Sequence, residues 1–179
     1  MILRILVCAL ILGLATPALA ADPLSYDDPG MHFAAPTGWE RVNLGDAASQ
    51  DDAPAALFAY HRGQQDVRTI VITIKPYDGS LADFANDRQR DLRQGSDNTT
   101  VFINKHQPVT LANGMPAFVV VSTVSSDARP QIKNYEYLVI DGQRSIDVVY
   151  TAMTGDADEK TATAALSTLY VVAFPVRRR

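Results

Sequence analysis

The sequence of residues 135–152 is YEYLVIDGQRSIDVVYTA. Two runs rich in aromatic and β-branched residues, 135–140 and 145–152, flank the dipeptide Asp141-Gly142. An Asp-Gly pair tolerates the positive φ angles that a tight turn between antiparallel strands requires. The segment therefore predicts a β-hairpin, and an antiparallel sheet is the starting point for the fold.

The residues on the N-terminal side of this hairpin predict a central strand followed by a helix. Residues 68–75 place isoleucine at every second position with further apolar residues between them. A strand that is apolar on both faces is typical of a sheet that is covered on both sides. Ser80 and Asp83 resemble a capping box, and apolar residues then repeat at helical spacing up to Gly95, which predicts a helix of about fourteen residues.

The rest of the chain adds shorter strands and a closing helix. A second helix is predicted from Asp156, with Glu159 in its capping position and a buried stripe that reaches Ala173 before Pro175 ends it. The order of elements predicts an α+β protein, an α/β/α sandwich with a mostly antiparallel central sheet of about six or seven strands and helices packed on it. The other predicted strands are 31–36, 39–44, 57–61, 100–103, 108–111 and 117–124.

The N-terminus has the organisation of a secretory signal peptide. Arg4 precedes an apolar run at 5–14 that is too short to form a permanent membrane span, and Ala18 and Ala20 fit the cleavage-enzyme pocket. We expect residues 1–20 to be a signal peptide that is cleaved after Ala20, and an uncleaved anchor is the less favoured alternative. Residues 21–176 then form a single domain with a periplasmic location, followed by a basic tail.

Composition excludes several classes of function. The single cysteine, Cys8, lies in the signal peptide, which excludes thiolate zinc ligands, thiol nucleophiles and redox exchange in the mature chain. The net charge is −4 at pH 7, and residues 21–176 are more acidic still because Arg4 and the three arginines at 177–179 lie outside them. An acidic domain repels phosphates, so we expect no nucleic-acid partner. No second apolar stretch of membrane length follows residues 5–14, so we expect no stable membrane insertion.

Several of these features together resemble the PsbP-like and DcrB-like α/β/α sandwich family of exported proteins. They are the segment 26–39 that ends in Pro36-Thr37-Gly38-Trp39, the helix after the fourth strand, the hairpin that contains Gly114, the paired strands around Asp141-Gly142 and the closing helix. That family includes extrinsic subunits of the photosynthetic oxygen-evolving complex, bacterial envelope proteins and a nuclear protein that binds a small GTPase. The resemblance implies binding or assembly work rather than catalysis, and it supplies no shared active site. The anchoring cysteine of the lipidated members has no counterpart here, so lipid attachment is not expected.

No catalytic, cofactor-binding or metal-ligating motif is present, and we predict no cofactor. The first alternative is a hydrolase-like or metal-dependent envelope enzyme, which requires the first strands to pair so that His32 and His61 approach each other near Asp27 or Asp28. The third histidine, His106, stands alone in the sequence. The second alternative is a structural assembly factor for an envelope complex.

Aromatic side chains supply the candidate partner surface. Tyr135 and Tyr137 share one face of a predicted strand close to Lys133, and together with Trp39 they form a possible contact surface, because amphipathic rings are common at binding interfaces. Packing between sheet and helix is the alternative for these rings. The leading interpretation is a soluble exported protein that binds an envelope protein or a small ligand without catalysing a reaction.

Overall fold

The protein is described by a computed structural model that covers residues 25–28, 31–45, 53–62, 66–94, 99–126, 129–155 and 159–171. The signal peptide, its cleavage site after Ala20 and the basic tail at 177–179 lie outside the described residues. So do the side chains of Asp27, Asp28 and His61. Within the described ranges, no helix is both long enough and apolar enough to cross a membrane.

The described residues form ten strands and two helices. In chain order they are β1 Ser25–Asp28, β2 Met31–Ala34, β3 Glu40–Arg41, β4 Ala56–Arg62, β5 Asp66–Pro76, α1 Leu81–Gln94, β6 Thr100–Thr110, β7 Pro116–Ser126, β8 Arg129–Asp141, β9 Arg144–Met153, α2 Glu159–Ser167 and β10 Tyr170–Val171.

Seven of the strands form one antiparallel sheet with the order β3-β4-β5-β9-β8-β7-β6. The predicted hairpin of β8 and β9 lies near its centre, with Asp141 opposite Arg144 and Gly142 in the turn at a φ of 62°. A second sheet of three strands has the order β1-β2-β10. The predicted mostly antiparallel sheet of about seven strands is confirmed.

Each face of the large sheet packs on a different helix. The larger core contains Ile72 and Val148 from the sheet and Leu166 from α2. The smaller core contains Leu92 of α1 and Leu138 of β8. Because side chains alternate across a strand, the two helices cover opposite faces, and this confirms the α/β/α sandwich.

Helix α1 begins at the predicted capping box. The Asp83 backbone N–H donates to Ser80 Oγ at 3.2 Å, and the Asp83 carboxylate accepts from the Ser80 backbone N–H at 3.1 Å. These hydrogen bonds with Ser80 lower the pKa of the Asp83 carboxyl below its ordinary value. The reciprocal bonds satisfy donors that a helix start leaves unpaired, so the local sequence fixes where α1 begins.

The predicted interruption between residues 103 and 108 is wrong. Strand β6 is continuous from Thr100 to Thr110, and its register against β7 shifts between Ile103 and Lys105. Such a bulge accommodates one extra residue, here Asn104, without ending the strand. Asn104 Oδ1 also accepts a hydrogen bond from Thr123 Oγ1 of β7 at 2.8 Å.

The predicted C-terminal extension of α2 is also wrong. The helix ends at Ser167, and the Leu169 backbone N–H donates to the Leu166 carbonyl at 3.1 Å in a tighter final turn. Thr168 Oγ1 donates to the Ala34 carbonyl at 3.0 Å, which ties this turn to β2. The chain then pairs with β2 as strand β10 instead of continuing the helix. The predicted helix end at Pro175 lies outside the described residues.

Replacement of Ile72 by alanine tests the position of the central strand. Strand β5 lies between β4 and β9, and Ile72 is fully buried in the larger core. We expect Ile72→Ala to lower the free energy of unfolding in urea by about 2 to 5 kcal/mol, because it deletes buried methyl groups and leaves a cavity. Val71→Ala, at a half-buried position on the other face, is the control with the smaller expected loss. A loss below about 1 kcal/mol for Ile72→Ala would contradict this placement.

Candidate functional site

The candidate site is a groove between α1 and the neighbouring strands of the large sheet. Helix α1 packs on β6, β7 and β8, and on the same face β5 and β9 form the other side of the groove. The groove has a volume of about 390 Å³. Its polar and aromatic lining comes from Phe84, Arg88 and Asp91 of α1 and from Lys75, Ser145 and Asp147 of the strands.

The start of α1 is positioned by the segment that connects it to β5. The Tyr77 hydroxyl donates to Asp87 Oδ2 at 3.0 Å, and the Tyr77 ring lies 5.2 Å from the Phe84 ring. At Gly79 an added Cβ would stand 2.6 Å from a Tyr77 ring carbon, so glycine allows this close approach. The connection therefore holds Phe84 at one end of the groove.

Arg88 and Glu136 form the central contact of the groove. Arg88 Nε donates to Glu136 Oε2 at 2.8 Å, and Arg88 Nη2 donates to Glu136 Oε1 at 2.9 Å. The Glu136 side chain is 0% exposed. Hydrogen bonding to Glu136 raises the pKa of the Arg88 guanidinium further above its ordinary value, so Arg88 stays charged. This two-bond geometry is the strong form of an ion pair, and it joins α1 to β8.

A second carboxylate, that of Asp147, lies beside this pair. Asp147 Oδ2 is 4.0 Å from Arg88 Nε, and Asp147 Oδ1 is buried with no hydrogen-bond partner among the described residues. Burial raises the pKa of Asp147 to about 7; the nearby charge of Glu136 adds to this rise and Arg88 opposes it. Two carboxylates thus share one guanidinium, and Asp147 exchanges a proton close to neutral pH.

The aromatic residues of the predicted partner surface lie mainly in the larger core. Trp39 and Tyr135 are each only 5% exposed. The Trp39 ring lies 5.9 Å from that of Tyr60, and the Tyr135 ring lies 6.0 Å from that of Tyr150. Both side chains therefore pack inside the sandwich, as in the alternative interpretation, and do not present a contact surface. Tyr137 is half-buried against the same core.

The histidines are not brought together by strand pairing. His32 is exposed on β2, which pairs with β1 and β10, whereas His61 belongs to β4 of the seven-stranded sheet. His106 lies under α1, where its Nε2 is 3.2 Å from the Ala85 carbonyl and its ring is 4.4 Å from that of Phe118. In the described part of the chain, no three His, Cys, Asp or Glu residues are placed to hold a metal ion.

The sequence marks the cluster of Arg88, Glu136 and Asp147, although no catalytic or binding motif contains these residues. Arg88 occupies a position in the apolar stripe of α1, and Glu136 and Asp147 interrupt the apolar runs of the central hairpin. A charged residue at a position that faces a sheet or a core is rarely tolerated without a partner. Three such residues of both signs indicate a buried ionic cluster, although no local spacing links them.

Solved structures with the same architecture come from several bacteria. This chain superposes on cyanobacterial PsbP (CyanoP) from Synechocystis sp. PCC 6803 with a TM-score of 0.61 and 14% identity, over 82% of this chain and 91% of that one. It superposes on LpqN of Mycobacterium tuberculosis, a protein involved in cell envelope biogenesis, with a TM-score of 0.59 and 13% identity, over 82% of this chain and 87% of that one. The protein of unknown function PA94 from Pseudomonas aeruginosa, a putative regulator, gives a TM-score of 0.57 and 14% identity over 77% of this chain and 99% of the other.

These likenesses establish the fold of the chain. It is the PsbP-like and DcrB-like α/β/α sandwich that the sequence features predict. No family model matches the sequence, and no curated protein matches it either.

Replacement of Asp147 by asparagine tests the protonation of the groove. The pKa of this carboxyl rises from 3.8 to about 7 on folding. A raised pKa stabilises the folded protein fully below the lower value, and this stabilisation is lost as the pH rises through the upper one. Asp147→Asn removes the effect, so its free energy of unfolding should gain about 4 kcal/mol relative to the natural protein between about pH 4 and pH 8.

The measurement is urea unfolding at several pH values, with Asp91→Asn as the control. Asp91 is exposed at the rim of the same groove, so its replacement changes the net charge equally without removing a buried carboxylate. We expect the control to follow the pH dependence of the natural protein. A difference between Asp147→Asn and the natural protein that stays constant with pH would contradict the shifted titration.

Proposed function

We propose that this protein is an exported, non-catalytic binding or assembly protein of the bacterial cell envelope that holds its partner or ligand in the groove beside α1. The observation that carries this proposal is the ionic cluster at an open groove, in which Arg88 and Asp147 line the groove and Glu136 lies buried behind Arg88. The proposed role is to recognise and hold a partner or ligand without a chemical step.

Burying a charged side chain costs a folded protein free energy. Well-packed apolar residues of similar volume commonly stabilise a fold as well as a buried ion pair does, or better. A fully buried Glu136 that is held by two hydrogen bonds is therefore poorly explained by stability alone. Fixed charges in a groove are typical of a recognition site, because groups that are ordered in advance lose little entropy when a ligand binds.

Features outside the groove support the cellular part of the proposal. Residues 1–20 have the pattern of a cleaved signal peptide. One protein of the same fold, LpqN, is described as involved in cell envelope biogenesis. The enzyme alternative gains no support from the fold, because His32 and His61 belong to strands of different sheets.

Site-specific photo-cross-linking in living cells tests both parts together. A photoreactive residue replaces Asp91, which is exposed and lines the groove, or Asn86, which is exposed on the same helix but does not line it. The full chain, with residues 1–20 present, is expressed, and adducts are recovered from the periplasmic fraction. We expect a discrete adduct from position 91 and none from position 86, on a protein whose N-terminal residue is Ala21.

Two results would contradict the proposal. Equal labelling at both positions, or none at position 91, would remove the groove as the binding site. A mature protein that retains residues 3–14 would remove export with cleavage after Ala20. Mass spectrometry of the adduct identifies the partner as a protein or a small ligand.

A further inference from the structure

We propose that the groove beside α1 binds a primary ammonium group, with the Asp147 carboxylate as its counter-charge. This inference rests on the proposed binding function of the groove and names the chemistry of the ligand. The ammonium is carried either by a lysine side chain of a partner or by a small free amine, and both sources present the same group.

Of the three charged side chains at the base of the groove, two pair with each other and the third does not. Arg88 directs two of its N–H donors to the two carboxylate oxygens of Glu136, so these two charges neutralise each other. Asp147 stands 4.0 Å from Arg88 Nε, which is longer than a hydrogen bond, and its Oδ1 has no hydrogen-bond partner among the described residues. One carboxylate is left without a full counter-charge.

The second step is the charge of the whole groove. Besides Arg88 and Asp147, the lining includes Lys75 from β5 and Asp91 from α1, both exposed at the rim and opposite in sign. These rim charges cancel in the sum. With Asp147 ionised, the lining and the buried Glu136 behind it together carry one net negative charge, which matches a ligand with a single positive group.

The third step is the set of acceptors around Asp147. Thr73 stands directly opposite Asp147 in the β5 and β9 pairing, and Ser145 is two residues before Asp147 on the same strand face. Both residues line the groove. Ser145 Oγ donates to the Lys75 carbonyl at 3.4 Å, so its lone pairs remain available as acceptors. An ammonium has three N–H donors, and the Asp147 carboxylate with the two hydroxyls supplies three acceptor groups for them.

The last step is the shape of the groove. Phe84 and Val149 add apolar surface to the lining, which suits the methylene stem of a lysine or an alkyl amine. The volume of about 390 Å³ is within the range of small-molecule sites. Because a proton and an ammonium compete for Asp147, whose pKa is about 7, binding strengthens as the pH rises through neutrality.

The experiment titrates the mature protein with two amines and one apolar control, followed by NMR chemical shifts. The probes are n-pentylamine and Nα-acetyl-lysine amide, and the control is Nα-acetyl-norleucine amide, which lacks the ammonium. Both probes are protonated at about pH 8.5 and at about pH 5.5, because an alkyl ammonium has a pKa of about 10.4. Only the protein changes its charge at this site between the two conditions.

We expect saturable binding of at least one amine at about pH 8.5, and binding at least about tenfold weaker at about pH 5.5. Asp147→Asn should weaken it at least about tenfold, because the isosteric amide keeps the shape and removes the charge. Glu40→Gln, which makes the same change in net charge at an exposed position of β3 outside the groove, should change it less than about threefold. Binding of the lysine amide alone assigns the ammonium to a partner side chain, and binding of n-pentylamine alone assigns it to a free amine.

Three results would overturn the inference. They are no saturable binding of either amine, an affinity that Asp147→Asn leaves unchanged while circular dichroism shows an intact fold, or equal binding of the norleucine control. If the photo-cross-link at position 91 persists in any of these cases, the groove is still a binding site and only the ammonium chemistry is wrong. If that cross-link is absent while the amines bind through Asp147, the cellular function fails and the chemistry of the groove stands.

Discussion

The two hydrogen bonds between Arg88 and Glu136 are the constraint on which the candidate site depends. They connect the middle of α1 to β8, and the carboxylate end of this connection is completely buried. Breaking a buried pair by removing one partner costs about 3 to 5 kcal/mol, because the other charge is left in a poor solvent environment. The pair therefore fixes where α1 lies on the sheet, whatever its net contribution to stability.

The position of α1 determines one wall of the groove, opposite β5 and β9, and the environment of Asp147. The apolar contact beneath the helix is small, since the smaller core contains only Ala85 and Leu92 of α1 among its fully packed helical residues. Leu81 and Phe84 pack partly buried against this core, and the ion pair adds a polar attachment of the helix. Burial raises the pKa of Asp147 and the nearby charge of Glu136 adds to this rise, while Arg88, already engaged with Glu136, opposes it. The position of the helix and the surroundings of Asp147 therefore both depend on this contact.

Local sequence patterns were sufficient for most of the fold but not for the site. The Asp-Gly turn of the central hairpin and the capping box of α1 are short-range signals, so both elements could be predicted. The bulge at Asn104 was not predicted, because an interruption of the strand pattern looks the same whether the strand ends or continues. The end of α2 was not predicted either, because Leu169 still fits helical spacing. The ion pair joins residues 48 positions apart, Arg88 and Glu136, and it depends on how a helix lies on a sheet. No periodicity specifies that placement, although a charged residue within each apolar pattern marks both partners.

A double-mutant cycle on Arg88 and Glu136 tests the central claim most directly. The free energy of unfolding in urea at about pH 8 is measured for Arg88→Met, Glu136→Leu and the double variant, which replaces the ion pair by two apolar side chains of comparable size. The account predicts that Arg88→Met alone costs about 3 to 5 kcal/mol, because it leaves two buried carboxylates without a cation. It also predicts that the double variant is at least about 2 kcal/mol more stable than the sum of the single losses implies. Single losses that add within about 0.5 kcal/mol would show that the two side chains are not coupled, and this result would contradict the account.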